Sequence, residues 1–321
     1  MDTKSSKLYI SGATGFVGTH LIKDLEESSL TIVKIGRKEL SNLENFQFEE
    51  SSDFIHLAAH VHNMVVTDKE AEKLAHENIN HKLSVDLYKK FISESKSGTF
   101  IFTSTVHVHA NLTNGVFKIK DTPKPISPYG ISKLAAENDM LKLISNKPND
   151  CRLVIVRLPM VYGPGNKGNI LRLISTARKK IRLPIGDFNN ARSLVYVKNV
   201  TFSILKILQN SSIANGSIYF ITDEEDKSLS QMYDQIYIEL NQRKGSFYFP
   251  KFIIRAGFIL FDILEKLLKR PLPLNSEAYH RLNNEYRFEG NRLLEEMNVH
   301  LPYDFKSGIR ETIDYYQRGQ N

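Results

Sequence analysis

The chain has 321 residues, 41% hydrophobic and 25% charged, a composition that suits a folded core of one or two domains and excludes a disordered or fibrous polymer. Its net charge of +7 calls for an anionic partner, but the basic residues are dispersed and Arg152 and the short run Arg178, Lys179, Lys180 are not interleaved with aromatics, so a small anionic ligand is favoured over nucleic acid. One cysteine, Cys151, excludes an internal disulfide and fits a reducing, cytoplasmic setting, and residues 1–6 are too short and polar for a leader.

Residues 7–11, KLYIS, form a β-rich run that leads straight into GATGFVG and then the helical pattern THLIKDLEE. Strand, glycine turn and helix in that order are the context of a dinucleotide fingerprint: Gly12, Gly15 and Gly18 let the backbone approach a pyrophosphate, and the helix N-terminus offers N–H groups and positive dipole. A second strand over 31–35 ends at Gly36, Arg37 and Lys38, where such folds read the ribose 2′ position. An arginine there accommodates a 2′-phosphate, so Arg37 favours NADP(H), with NAD(H) as the alternative if Glu39 serves the ribose.

FQF at 46–48 offers a brief strand, and FIHLAA at 54–59 a buried one that ends in small residues, as needed beneath a cofactor. A helix is expected over 68–95, then a strand over 99–108 that carries Thr103, Ser104 and Thr105 to its C-terminal end. In TPKPISPYGISKLAAE, residues 122–137, Tyr129 and Lys133 stand four apart at the opening of a helix and therefore share a face. An ammonium beside a phenol stabilises the phenolate, which makes a proton donor and acceptor usable near neutrality.

CRLVIVRL at 151–158 is a further buried strand and runs into the glycine- and proline-rich loop PMVYGPGNKGN. Beyond it lie a helix over 170–178, strands over 192–197 and 217–222, and helices over 229–240 and 252–268. The last carries Arg255, Asp262, Glu265 and Lys266, which identifies it as amphipathic rather than membrane-spanning; burial or an interface is expected ahead of peripheral membrane contact. The alternation of strand and helix predicts an α/β fold, a Rossmann-type doubly wound parallel sheet with a smaller C-terminal α/β substrate-binding domain. The division falls at 1–165 and 166–321, with the chain returning to the first unit around 195–223.

The ordered motifs GATGFVG, FIHLAA, FTSTVHV, PYGISKLAAE and RLPMVYGPGNKGN resemble the extended short-chain dehydrogenase/reductases (NAD-dependent epimerase/dehydratase family) along essentially the whole chain. HLAAHVHNM, VYGPGNKGNILRLI, ARSLVYVKNV and NRLLEEMNVHLPYDFKSGIRETIDYY resemble its UDP-glucose 4-epimerase-like branch. Within that branch the chain is most similar to bacterial UDP-2-acetamido-2,6-dideoxyhexulose 4-reductases, of UDP-N-acetylquinovosamine or fucosamine type. The resemblance implies an enzyme that transfers hydride at C4 of a UDP-sugar in surface polysaccharide synthesis, either a 4-keto reductase or a 4-epimerase that retains its NAD. A cofactor-binding sensor or scaffold without catalysis is the reading from another class.

On the same resemblance Tyr129 is the acid/base, Lys133 the lysine at the nicotinamide ribose, and Thr105 the hydroxyl on the reacting oxygen. Gly12, Thr14, Gly15, Phe16, Val17, Gly18, Arg37, Leu57, Ala58, Ala59, Pro159 and Val161 fall on the cofactor, and His60, Lys167, Asn169 and Arg192 on the substrate. Tyr162 falls beside the ligands and Asn78 on a helix as a brace. Three positions depart from the pattern: FQFEESSDF lacks the usual adenine-holding residues, His109 replaces a tyrosine, and His81 a helix glycine. No metal set is found; His107 with His109, and His60 with His62, share faces but lack a third ligand. A homodimer through helices over 79–91 and 135–143 is a further implication of the family.

Overall fold

The computed structural model describes residues 7–60, 69–109, 115–144, 150–185, 190–268, Tyr279 and 284–319. Six strands, β1 (Lys7–Ser11), β2 (Thr31–Ile35), β3 (Ser52–His56), β4 (Ser97–Thr105), β6 (Asp150–Leu158) and β9 (Ser217–Phe220), form one sheet. Every pairing in it is parallel and the order is β2-β1-β3-β4-β6-β9. The order reverses between β1 and β3, which opens a crevice at their carboxyl ends, the place where open α/β sheets take ligands.

Alternation along each strand sends side chains to two cores. Leu8, Ile10, Ile55 and Ile101 pack on one face with Leu21 of α1 (Phe16–Asp24) and Val200, Ile204 and Ile207 of α7 (Val197–Gln209). Tyr9, Phe54, Phe100 and Phe102 pack on the other with Tyr88 and Phe91 of α4 (Ser84–Glu94) and Met140 of α5 (Pro128–Ile144). Coverage of both faces is why these strands read as continuous apolar runs.

The C-terminal half builds a third core. Short strands β7 (Met160–Tyr162) and β8 (Leu194–Tyr196) meet α6 (Asn169–Arg178), α8 (Leu229–Glu239) and, after the short α10 (Arg292–Met297), α11 (Phe305–Gln317). Asp223 ties them together: it accepts from the Tyr162 hydroxyl at 3.0 Å, the Tyr196 N–H at 3.0 Å and Asn199 Nδ2 at 2.7 Å. Burial pushes the Asp223 carboxyl up to about 6, because three donors only partly offset the loss of water.

Several elements differ from what the sequence suggests. FQF makes no strand: Phe48 inserts its ring among Tyr9, Phe54 and Phe91, 4.9 to 5.4 Å between centroids, and its N–H goes to Glu94 Oε2 at 2.9 Å. β4 stops at Thr105 because that side chain accepts the His107 N–H at 3.2 Å, turning 106–108 into a 3₁₀ turn. The expected helix over 68–95 is α3 (Lys69–Ala75), a π-helical stretch (His76–Leu83) and α4 in continuous sequence. Tyr162, expected beside the ligands, is fully buried with its hydroxyl on Asp223. The helix α9 (Lys251–Leu268) forms as expected, but a broad apolar face of it lies exposed rather than buried. Among the described residues no helix is long and apolar enough to cross a membrane.

His56, fully buried at the end of β3, is held neutral in one tautomer. Ser11 Oγ accepts the Ala58 N–H and so donates to His56 Nδ1 at 2.6 Å, while Ser84 Oγ donates to the Ile79 carbonyl and accepts from Nε2 at 2.9 Å. Burial, with a smaller contribution from the Lys133 charge, drives its pKa from 6.5 to about 3. The unfolded chain therefore takes up this proton first as pH falls through 6.5, so this contribution is complete above 6.5 and declines toward 3. Urea-unfolding free energy should fall by up to about 1.4 kcal/mol per pH unit from this group. The slope should flatten by about one proton in His56→Gln, and equal slopes in the two proteins between neutrality and mild acid would refute the assignment.

Candidate active site

The crevice is lined first by the glycine turn. Gly12 has φ +72°, and a Cβ there would stand 2.6 Å from the Ala58 nitrogen; at Gly18 it would stand 2.2 Å from the Gly12 carbonyl oxygen. Both glycines are thus required by close backbone approach, and the Gly15 N–H closes the turn on the Gly12 carbonyl at 2.9 Å. Helix α1 opens with no side-chain cap and no acidic residue in its first turn, which leaves N–H groups and positive dipole for an anion beside Thr14, Phe16 and Val17. Leu57, Ala58 and Ala59 leave β3 directly beside this turn, with the Leu57 N–H on the Ser11 carbonyl at 3.1 Å. Pro159 and Val161, after β6, are buried and half-buried respectively.

At the end of β2, Glu39 turns back to accept the Gly36 N–H at 2.9 Å, capping the short helix α2 (Arg37–Ser41). Arg37 and Lys38 are exposed there and have no acidic partner among the described residues.

Tyr129, Thr105 and Lys133 come together at the carboxyl end of β4. Thr105 lies near enough to Tyr129 to pull its phenol down, and because Thr105 Oγ1 already accepts the His107 N–H it has its own proton to donate. Gly130 was not singled out from the sequence, yet a Cβ on it would meet the His107 carbonyl oxygen at 2.2 Å, so it sets how closely α5 approaches Thr105. Burial pushes the Tyr129 phenol up to about 12, with Thr105 pulling the other way. Burial pushes Lys133 down to about 7, opposed by Glu137 one turn on. The expected lowering of Tyr129 by Lys133 is not found: burial dominates the phenol, and Thr105 is the group that pulls it down.

Next to Tyr129 the His76 ring lies 5.8 Å away between centroids, and His60 4.9 Å beyond it. Asn80 holds His60 by both backbone groups, accepting its N–H at 2.7 Å and donating to its carbonyl at 2.9 Å. The brace is thus Asn80 and not Asn78, which faces outward toward Lys82; the π-helical stretch shifts the facing that a 3.6-residue period assigns. His60, Glu72 and His76 place ligand-type atoms within 4.8 Å of one another. Asn80 Nδ2 also donates to His76 Nδ1 at 3.0 Å, which keeps the neutral ring's proton on Nε2, facing Glu72 at 3.9 Å. A bound metal would need that nitrogen's lone pair, so in this arrangement His76 is not set to ligate one, and the trio stands beside Tyr129 as two imidazoles and a carboxylate. His62 lies outside the described residues. His107 lies within the 3₁₀ turn and His109 just after it, so they do not share a strand face, and Arg157 contacts His109 at 3.1 Å.

The substrate candidates divide into two groups. Lys167 lies with Thr14, Gly15 and Phe16 on a cleft of about 980 Å³, and Asn169 opens α6 two residues later. Arg192 lies elsewhere, bridged to Tyr286, whose ring stacks on His107 at 6.1 Å and whose hydroxyl donates to the Val106 carbonyl. Tyr286 is thus a residue of the Tyr129 neighbourhood with no local sequence signal. A separate acidic pocket of about 510 Å³, around Asp223 and Glu295, contains none of the predicted residues.

Two buried polar atoms at the site, Lys133 Nζ and Ser104 Oγ, have no hydrogen-bond partner. Lys133 is only 1% exposed, so an unpaired ammonium there is costly and fits a ligand that brings hydroxyl groups to it. Together with the glycine turn and the uncapped helix, the residues fit a dinucleotide.

Comparison with known proteins agrees. The NAD dependent epimerase/dehydratase family matches residues 8–222. A UDP-glucose 4-epimerase of Vibrio cholerae is 29% identical over 341 aligned positions, spanning 100% of this chain and 98% of that protein. The N-acetyl-alpha-D-glucosaminyl-diphospho-ditrans,octacis-undecaprenol 4-epimerase of Escherichia coli O157:H7 is 22% identical over 97% of this chain and 95% of its own length. A UDP-2-acetamido-2,6-beta-L-arabino-hexul-4-ose reductase of Pseudomonas aeruginosa is 24% identical over 74% of this chain and 59% of its own. In fold, the chain is similar to MoeE5 solved with UDP-glucose and NAD, with a TM-score of 0.74 at 19% identity, covering 98% of this chain and 100% of that one.

Substitution Gly18→Ala should weaken nicotinamide dinucleotide binding by about tenfold to a hundredfold, the cost of overpacking a rigid contact. Calorimetric titration of the folded variant measures it, and unchanged affinity would separate the turn from the cofactor.

Proposed function

The chain belongs to the NAD dependent epimerase/dehydratase family, and from that premise we propose that it reduces the 4-keto group of a UDP-4-keto-6-deoxy-N-acetylhexosamine with NADPH, in the making of a bacterial surface-polysaccharide sugar. The observation that carries this reading is the pairing of Tyr129 with Thr105 and, one turn along the same helix, the buried Lys133, whose charge reaches His56 and through it Ser11 at the foot of the glycine turn. The nicotinamide, when bound, supplies the hydride. Tyr129 gives its proton to the sugar O4, and Thr105 donates a hydrogen bond to the same oxygen as negative charge develops there. Lys133 holds positive charge below the phenol, which Glu137 sustains against desolvation.

Arg37 and Lys38, unpaired at the end of β2 while Glu39 caps Gly36, support a cofactor with a 2′-phosphate. Lys167, Asn169 and Arg192, from a substrate unit over 166–321 whose core includes α6, α8 and α11, serve the nucleotide sugar together with His60 and Thr105 of the first unit. A homodimer through the helices over 79–91 and 135–143 completes the reading; Ile79, at the start of the first, is 38% exposed. A second reading, a UDP-hexose 4-epimerase with retained NAD, is favoured by the full-length match to the Vibrio cholerae 4-epimerase.

Loss of nicotinamide absorbance on mixing the protein with NADPH and the 4-keto sugar tests the proposal. Consumption should be stoichiometric, about 10²- to 10⁴-fold slower in Tyr129→Phe, and Arg37→Glu should weaken NADPH by about tenfold or more while sparing NADH. Interconversion of UDP-glucose and UDP-galactose, or their N-acetyl forms, without net NADPH loss would move the assignment to the epimerase.

A further inference from the structure

Helix α9 presents the reverse of a soluble protein's pattern. Its half-buried side carries Lys251, Ile254, Phe258, Asp262 and Glu265, with Ile254 packed on the C-terminal core and the Phe258 ring 5.6 Å from Tyr279. Its exposed side carries Phe252, Ile253, Ile259, Leu260, Ile263, Leu264, Leu267 and Leu268, with Arg255 at the margin. Phe252 is 74% exposed and Leu267 73%, so three turns or more of large apolar side chains stand in contact with water. An apolar face this long marks an interaction surface, and the acidic groups of the helix lie on the other side.

The patch continues into a basic rim that is fixed to it. The Ile181 carbonyl accepts both the Tyr233 and Tyr237 hydroxyls at 2.6 Å, Leu183 bonds to Gly245, and Phe247 bonds back to Leu183, so residues 178–183 and 245–247 move as one body. From there Tyr248, 68% exposed, and Phe249 lead through Pro250 into α9. Arg178, Lys179, Lys180, Arg182 and Arg243 are exposed on this rim, and among the described residues none has an acidic partner within 4.0 Å; Lys244 reaches Asp234 at 3.7 Å.

We propose that α9 and this basic rim form a docking face that lies on an anionic lipid bilayer, with α9 in the interfacial plane and the cations on lipid phosphates. Exposed apolar rows beside unpaired cations are the complement of such a surface, which takes large hydrophobic side chains at the acyl boundary and Lys/Arg at the headgroups. A second copy of the chain fits less well: a two-fold contact sets the same patch against itself, which brings the two basic rims together. Spanning is excluded, since α9 carries Lys251, Arg255, Asp262, Glu265 and Lys266 within 18 residues. The proposal stands on the surface alone and does not depend on the substrate assigned above.

Co-sedimentation of the full chain with phosphatidylcholine vesicles, with and without about one-third phosphatidylglycerol, tests it. The protein should pellet with the anionic vesicles, weakly with neutral ones, and less as salt rises. The triple variant Lys179→Gln, Lys180→Gln, Arg182→Gln should lose on the order of 100-fold in partitioning, and Phe252→Ser with Leu260→Ser and Leu267→Ser should abolish it. All six side chains lie on the surface, so unchanged thermal melting and NADPH affinity confirm that each variant is folded. The chain has no tryptophan, so Leu260→Trp gives a single reporter whose emission should shift to the blue on anionic vesicles alone. Absence of pelleting, or pelleting that survives the serine triple, overturns the proposal. So does a dimer by light scattering that the serine triple breaks while no vesicle binding is seen, which would make the face a contact between copies.

Discussion

The site depends on one buried charge. Lys133 lies 4.1 Å over the ring of Phe102, with no hydrogen-bond acceptor, and Glu137 is the charge that sustains it. Glu137 is itself gripped by Arg157 through contacts of 3.2, 3.3 and 2.6 Å, and Arg157 touches His109 at 3.1 Å among Phe117, Phe220 and Phe288. Burial and the Arg157 charge hold the His109 ring down to about 4, so it adds no third cation to the line. With Lys133 protonated, two cations and one anion stand in low dielectric, an excess of one positive charge at the end of β4. Such a line is costly in the free protein and favours a ligand that supplies polar atoms to the ammonium.

Much of this was legible in the sequence because it is local. Gly12 and Gly18 sit in a strand–turn–helix context that admits few readings, and the four-residue spacing of Tyr129 and Lys133 fixes a common face before any tertiary contact is known. The buried strands announced themselves as apolar runs for the same reason, since both faces of a parallel sheet are covered. Asn80, Tyr286 and Gly130 were not legible. Asn80 reaches His60 only because a π-helical stretch changes the helix's facing, Tyr286 arrives from the far end of the chain, and the need for glycine at 130 comes from a carbonyl of a different element. Phe46 to Phe48 misled in the other direction: alternating aromatics met the strand pattern, but their rings found a pocket and the backbone found no ladder.

The two halves of the chain meet through apolar contact, with Val17 and Val161 packed against both the first and the third core, and through a set of directional hydrogen bonds. Asp223, just after β9, binds Tyr162 and Tyr196 of the third core, and Asn199 of α7 reaches Asp223 at 2.7 Å and the Tyr303 carbonyl at 2.8 Å. The Tyr196 hydroxyl and Lys198 converge on Glu311 of α11, each at 2.6 Å. A polar seam of fixed geometry sets the distance between the glycine turn and Lys167 across their common cleft more sharply than non-directional packing could.

The protonation states of the free protein carry a final consequence. With Tyr129 pushed up to about 12 and Lys133 down to about 7, the resting site holds a neutral phenol and a lysine whose charge burial disfavours. A neutral phenol is ready to give a proton, and so suits reduction of a carbonyl; taking one from an alcohol needs the phenolate, which this environment disfavours strongly. Full charge on Lys133 would ease that demand, and it gains full charge only when polar groups replace the water it has lost. The geometry therefore couples acid/base competence to occupancy: the same burial that leaves the ammonium unpaired keeps Tyr129 a donor until the crevice is filled.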